Sequence, residues 1–157
     1  MAPHDYALLA RIAVGFVLAY ALGFEREIRG SAAGDRTFAL VGAGATAITA
    51  VAYRTSPQAV AGVVTGIGFI GAGVVFQSEG GTITGVTTAA SIFAAAAIGV
   101  VVGYGHLVLG LVTTALILLT LEVRNIRVLA RLDARRYRER FHDDMAPPAG
   151  MDGGRSG

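Results

Sequence analysis

A chain of 157 residues has room for one domain, and this one is 54% hydrophobic and only 15% charged. That balance excludes an ordinary soluble globular fold and makes an integral membrane protein the first reading. The formal net charge is +2, every basic residue is arginine and cysteine is absent, which excludes disulfides, thiolate metal sites and thiol nucleophiles together.

The first apolar run is Ala7 to Phe24, whose eighteen residues would rise about 27 Å as a helix, close to the thickness of a hydrocarbon core. It carries Arg11 and has no basic region before it, so a cleavable signal peptide is not expected. Arg11 lies near the outer end of the run, where it is expected to snorkel to the head groups. Gly15, Ala19 and Gly23 recur every four positions and line one helix face, which suits close approach by another helix. One turn further on, the same face reaches Arg26 and Glu27. From Gly23 to Thr37 runs an ionic hinge with Glu25, Arg26, Glu27, Arg29, Asp35 and Arg36, whose charges cancel.

Phe38 to Tyr53 is the second run, with Gly42, Gly44, Thr46 and Thr49 as its small or hydroxylated members. Pro57 then breaks the helix. Val60 to Phe76 is the third and richest in glycine: Gly62 and Gly66 form a small-xxx-small pair, followed by Gly68, Gly71 and Gly73. Gly66, Gly68 and Gly71 also match a dinucleotide fingerprint by letter. That fingerprint needs a preceding strand and an acid roughly 20 residues on, and here it sits inside an apolar run, so helix packing is the expected role. After a turn from Gln77 to Thr84, the fourth run, Gly85 to Gly103, opens on Thr87, Thr88 and Ser91 and closes on the pair Gly99 and Gly103. Its hydroxyls suit either hydrogen bonds to a neighbouring helix or the lining of a substrate path. Leu107 to Val123 is the fifth run.

From Arg124 to Phe141 arginines alternate with apolar residues, as in a helix lying at the lipid head groups. Met145 to Gly157, rich in glycine and proline, is expected to be disordered. The expected organisation is thus an all-α membrane bundle of about five transmembrane helices over residues 1–123, a basic juxtamembrane helix over 124–142 and a tail over 143–157. Arginine is far denser on the side holding the hinge and the C-terminus, and the positive-inside rule places that side in the cytoplasm with the N-terminus outside. His4, His106 and His142 have no ligand spacing, and no catalytic constellation is visible. Neither an enzyme nor a cofactor is expected.

Four blocks in order resemble the signatures of the MgtC/SapB membrane proteins: Gly23 to Glu27, Ala33 to Thr37, Gly66 to Gly73 and Gly85 to Ser91. The resemblance implies a five-span protein of the bacterial plasma membrane linked to magnesium limitation and, in some pathogens, to survival inside host cells. It also implies a role in magnesium uptake or in modulating a membrane partner such as the F-type ATP synthase. Phe38, Val86 and Phe93 depart from the family pattern, and the residues after Val123 are too few for the soluble C-terminal domain that many members carry. With the resemblance, the hinge becomes the candidate site: Glu25, Arg26, Glu27, Asp35, Arg36 and Thr37 are expected to form a partly buried network near Thr87 and Thr88, with Arg29 pointing away. The helix-packing set is Gly15, Gly23, Gly62, Gly66, Gly68, Gly71, Gly73, Gly99 and Gly103. Expected partners are the lipid bilayer, another membrane protein such as a magnesium transporter or ATP synthase, and a second copy of the chain, with no nucleic acid. The leading function is regulation or assistance of a membrane partner in ion homeostasis, and the alternative is an ion transporter or channel in its own right.

Overall fold

Five helices follow one another in the computed structural model, which describes residues 3–75 and 83–122: α1 (Pro3–Ile28), α2 (Asp35–Ala52), α3 (Pro57–Val75), α4 (Val86–Gly103) and α5 (Leu107–Glu122). No strand occurs among the described residues. The helices as far as Leu119 form one compact unit. Most of the Gln77–Thr84 turn, the basic segment 124–142 and the tail 143–157 lie outside the described residues.

α1, α3 and α4 are long and apolar enough to cross a membrane. α2 gives the first two of its 18 positions to Asp35 and Arg36, and α5 has 16 residues. α1 is longer than its apolar run suggested. Its 26 residues rise about 39 Å, so Glu25, Arg26 and Glu27 form its last helical turn instead of a loop. The helix then stops in a Schellman arrangement: Gly30 takes φ +69°, its amide donates to the Glu27 carbonyl, and the Ser31 amide donates to the Arg26 carbonyl. α4 ends the same way at Gly105, φ +96°, with the Gly105 amide on Val102 and the His106 amide on Val101. Pro57 opens α3, a first-turn position where its missing amide costs nothing.

α2 packs against both α1 and α4, and these three helices hold the core. Leu18, Ala19, Leu22, Phe38, Ala45, Ile92, Ala95, Ile98 and Val102 are buried there, together with Thr46 and Thr49. Small residues set the spacing. A Cβ on Gly15 would strike the Thr46 hydroxyl, and one on Gly23 would come within 2.7 Å of the Asp35 Cα. On the other flank of α2, a Cβ on Gly99 would lie 2.5 Å from the Gly42 carbonyl oxygen, and one on Gly103 would lie 2.6 Å from the Thr49 Cβ. Gly42 itself faces Ala19 and the Gly15 carbonyl, so it serves both interfaces. Thr46 keeps its hydroxyl satisfied at this crowded point by donating to the Gly42 carbonyl at 2.7 Å.

The α3 glycines are placed differently from the sequence expectation. A Cβ on Gly62, Gly66, Gly68 or Gly73 would meet no described atom within 4 Å, and one on Gly71 would only touch Ala89 at 3.6 Å. α3 packs on α4 and more lightly on α2, and Ile67 is its one buried residue among those described. The stripe that closes the core is carried by α1, α2 and α4. Large exposed apolar side chains such as Leu40, Phe69, Val108 and Leu116 lie on the outside of the bundle, as lipid contact requires.

Candidate functional site

The last turn of α1 and the first turn of α2 meet at Gly23, whose bare Cα lets the Asp35 backbone approach. That contact brings the charged residues of the hinge into one region at the end of the bundle.

Glu25 is its ionic centre. Arg26 Nε and Nη2 reach both carboxylate oxygens of Glu25 at 2.5 and 2.7 Å, a two-pronged pair. Arg29 Nε adds a bond to Oε1 at 2.5 Å across one helical turn, with the glutamate on the N-terminal side, the favoured order. Arg29 therefore belongs to the cluster and does not point away. Arg26 is only 8% exposed, while the Arg29 side chain is 32% exposed, so the two arginines differ in how much water can replace their partner. Both cations sit at the C-terminal end of α1, where the helix dipole favours positive charge.

Glu27 is separate. Its carboxylate lies over Gly34 where a Cβ would stand. Gly34 is the N-cap of α2 and offers no side-chain hydrogen bond to the helix, so the Glu27 charge and Asp35 in the first turn are the acids at that helix N-terminus. The Asp35 carboxylate accepts the Arg36 amide at 2.6 Å and interacts with the Tyr20 hydroxyl. Tyr20 belongs to an aromatic column with Phe16 and Phe24 along α1, at centroid spacings of 6.1 and 6.4 Å. Arg36 and Thr37 are exposed.

α4 joins the hinge through one hydroxyl pair. Thr88, 8% exposed, lies 3.0 Å from Ser31 oxygen to oxygen. Thr87 is exposed, and its carbonyl accepts the Ser91 hydroxyl at 2.7 Å. The structure thus brings Glu25 and Arg26 together, places Glu27 and Asp35 at the start of α2, ties Thr88 to the hinge, and leaves Arg36, Thr37 and Thr87 on the surface. Sequence reasoning missed Tyr20, Ser31 and Gly34. Tyr20 had a readable signal, the i, i+4 spacing of Phe16, Tyr20 and Phe24, whereas Ser31 and Gly34 stand in a polar turn with no periodicity. Among the described residues no group of three or more histidine or acidic side chains is arranged to hold a metal ion.

The signature of the MgtC family matches residues 12–128. YhiD of Escherichia coli K12, named as a proposed magnesium transporter, is 40% identical over 129 residues, covering 74% of this chain and 57% of that protein. Protein MgtC of Brucella abortus is 40% identical over 114 residues, with 69% and 48% covered, and Protein MgtC of Salmonella typhimurium is 39% identical over 122 residues, with 75% and 51% covered. The chain spans about half the length of the curated relatives it matches. No solved structure matches it. With apolar helices long enough to cross a bilayer and a family signature running through the hinge and all five helices, this chain is a bacterial membrane protein and belongs to the MgtC family.

Proposed function

We propose that this protein serves magnesium or ion homeostasis by regulating or assisting a membrane partner, that it is not an enzyme, and that the α1–α2 hinge carries the activity. In this reading the bundle crosses the bacterial plasma membrane five times, with the hinge and C-terminus in the cytoplasm and the N-terminus outside. Family membership supports the magnesium link, and the distribution of arginine supports the orientation.

The observation that carries a regulator over a channel is how the α4 hydroxyls are used. Ser91 donates to the Thr87 carbonyl, and Thr88 shares its hydroxyl with Ser31. The Ser91 bond closes back on α4 itself and the Thr88 bond ties α4 to the turn after α1, so both hydroxyls are engaged within the protein instead of facing a path. The cavity between α3 and α4, about 190 Å³, is lined by apolar residues including Val63, Ile67, Phe93 and Val100, which offer a divalent cation none of the oxygens it needs. Meanwhile Glu27, Arg36 and Thr37 in the hinge and Thr87 at the start of α4 are exposed, a polar surface suited to a partner.

The second reading, a transporter in its own right, is favoured by the name of the Escherichia coli relative. Purified protein in liposomes loaded with a magnesium-sensitive dye separates the two. The regulator reading expects no magnesium entry beyond that of protein-free vesicles, together with loss of complementation at low magnesium for Arg26→Ala. Magnesium entry that depends on the protein would instead establish the transporter.

A further inference from the structure

The end of the bundle remote from the hinge, where α1 begins and α2 ends, holds a cavity of about 330 Å³ lined by His4, Leu8, Arg11, Val51, Arg54 and Thr55 among others. Its chemistry is two-sided. Arg11, Arg54, His4 and Thr55 supply donors, whereas Ala7, Leu8, Ala50 and Val51 supply an apolar wall. Among the described residues no carboxylate lines it: Asp5, the acid in the first turn of α1, is not among the lining residues, and the ion pairs found there involve neither arginine.

Both arginines are held in place. Arg11 Nη1 donates to the Gly103 carbonyl at 3.1 Å, one of the free carbonyls at the end of α4. That bond uses one of its five N–H groups. Arg54 lies over the Tyr53 ring, 5.2 Å from its centroid, and Tyr53 meets Tyr104 edge to face at 5.6 Å. Two guanidinium groups therefore share a concave, half-apolar site without a counter-ion among the described residues, at the end of the bundle where α1 begins and α2 ends. Guanidinium forks match phosphate oxygens, and cationic side chains near an apolar boundary gain from an anion brought to them.

We propose that this cavity binds the phosphate ester of a phospholipid, with Arg11 and Arg54 on the phosphate and an acyl chain along the Leu8–Val51 wall. Free phosphate shares the head-group chemistry but leaves that wall uncovered, so the lipid is the assigned source.

The test uses the full chain in detergent micelles, titrated with phosphatidylglycerol, with dioleoylglycerol (the same kind of tails without phosphate) or with inorganic phosphate, and read by native mass spectrometry and thermal unfolding. Phosphatidylglycerol is expected to bind and to raise the unfolding temperature. Arg54→Gln should weaken that binding by about tenfold or more, the loss of one charge-assisted hydrogen bond. Arg54 is exposed, so this variant keeps the fold, and Arg54→Lys, which keeps the charge, is expected to bind more tightly than Arg54→Gln. Binding of dioleoylglycerol as strong as that of phosphatidylglycerol would show that no phosphate is read. Protection by millimolar inorganic phosphate equal to that by lipid would transfer the site to a free anion. Unchanged affinity in Arg54→Gln would remove the cavity from consideration altogether.

Discussion

Ser31 and Thr88 stand 57 positions apart in the chain and 3.0 Å apart in space. Theirs is the hydrogen bond that fastens the turn after α1 to the buried face at the start of α4. Hydroxyl bonds between membrane helices contribute about 0.6 kcal/mol on average and up to about 1.7. Ser31→Ala and Thr88→Val should each lower the unfolding temperature modestly, and the double variant should lower it no further than the larger single effect. Strict additivity in that cycle would mean that the two hydroxyls act independently.

Arg26 and Arg29 share one carboxylate yet differ in burial, and their alanine variants should diverge. Arg26→Ala leaves Glu25, whose side chain is 11% exposed, with the more exposed Arg29 in place of its two-pronged partner, which is expected to cost about 2 kcal/mol and to reduce folded protein in the membrane. Arg29→Ala removes the more exposed partner and should cost about 0.5 kcal/mol. Abundance in isolated membranes and melting in detergent report both effects; equal losses for the two variants would contradict the burial difference.

Glycine substitutions provide a sharper contrast. Gly15→Ala and Gly99→Ala place a methyl group into Thr46 and into the Gly42 carbonyl, and an overpacked core typically loses about 1–3 kcal/mol. Gly62→Ala and Gly66→Ala meet no described atom. They should be neutral or slightly stabilising, since alanine is favoured over glycine in a helix by up to about 1 kcal/mol. Detergent melting of the four variants checks the ranking. Normal melting of Gly66→Leu combined with failed complementation would assign the α3 glycines to contact with another chain.

Orientation has its own experiment. A reporter active only in the cytoplasm should give signal when fused after Arg140 and none when fused after Arg54. The reverse pattern would overturn the proposed orientation, and like signals at both points would overturn the count of five crossings.

Much of this architecture is legible before any coordinates, because bilayer-spanning segments advertise themselves by length and apolarity; the runs beginning at Phe38, Val60 and Gly85 each became a helix within a few residues of their expected ends. The end of α1 was not legible. Glu25, Arg26 and Glu27 have the composition of a loop, yet they continue the helix beside the core with Glu25 paired to Arg26 and Arg29. Small-residue spacing likewise shows that close packing is available on a helix face, but not whether protein or lipid covers it. The spacing at Gly15, Ala19 and Gly23 led to α2, whereas the similar spacing at Gly62 and Gly66 led to no described neighbour. The hinge was readable as a cluster of charges. Its division into a clamp on Glu25, an acid pair at the start of α2 and a tether through Ser31 depends on distances that no linear pattern encodes.

The three-helix core of α1, α2 and α4 also has a consequence for biosynthesis. Chains emerge from the ribosome in order, and early segments begin to fold first. α1 and α2 can pair as a hairpin as soon as both have entered the bilayer, but the flank of α2 bearing Ala45 and Thr49 stays uncovered until α4 brings Gly99 and Gly103 against it. α3 arrives in between and does not fill that gap. A nascent chain halted after Val75 would therefore leave the Ala45 and Thr49 flank of α2 facing lipid, a surface that the finished molecule covers with α4.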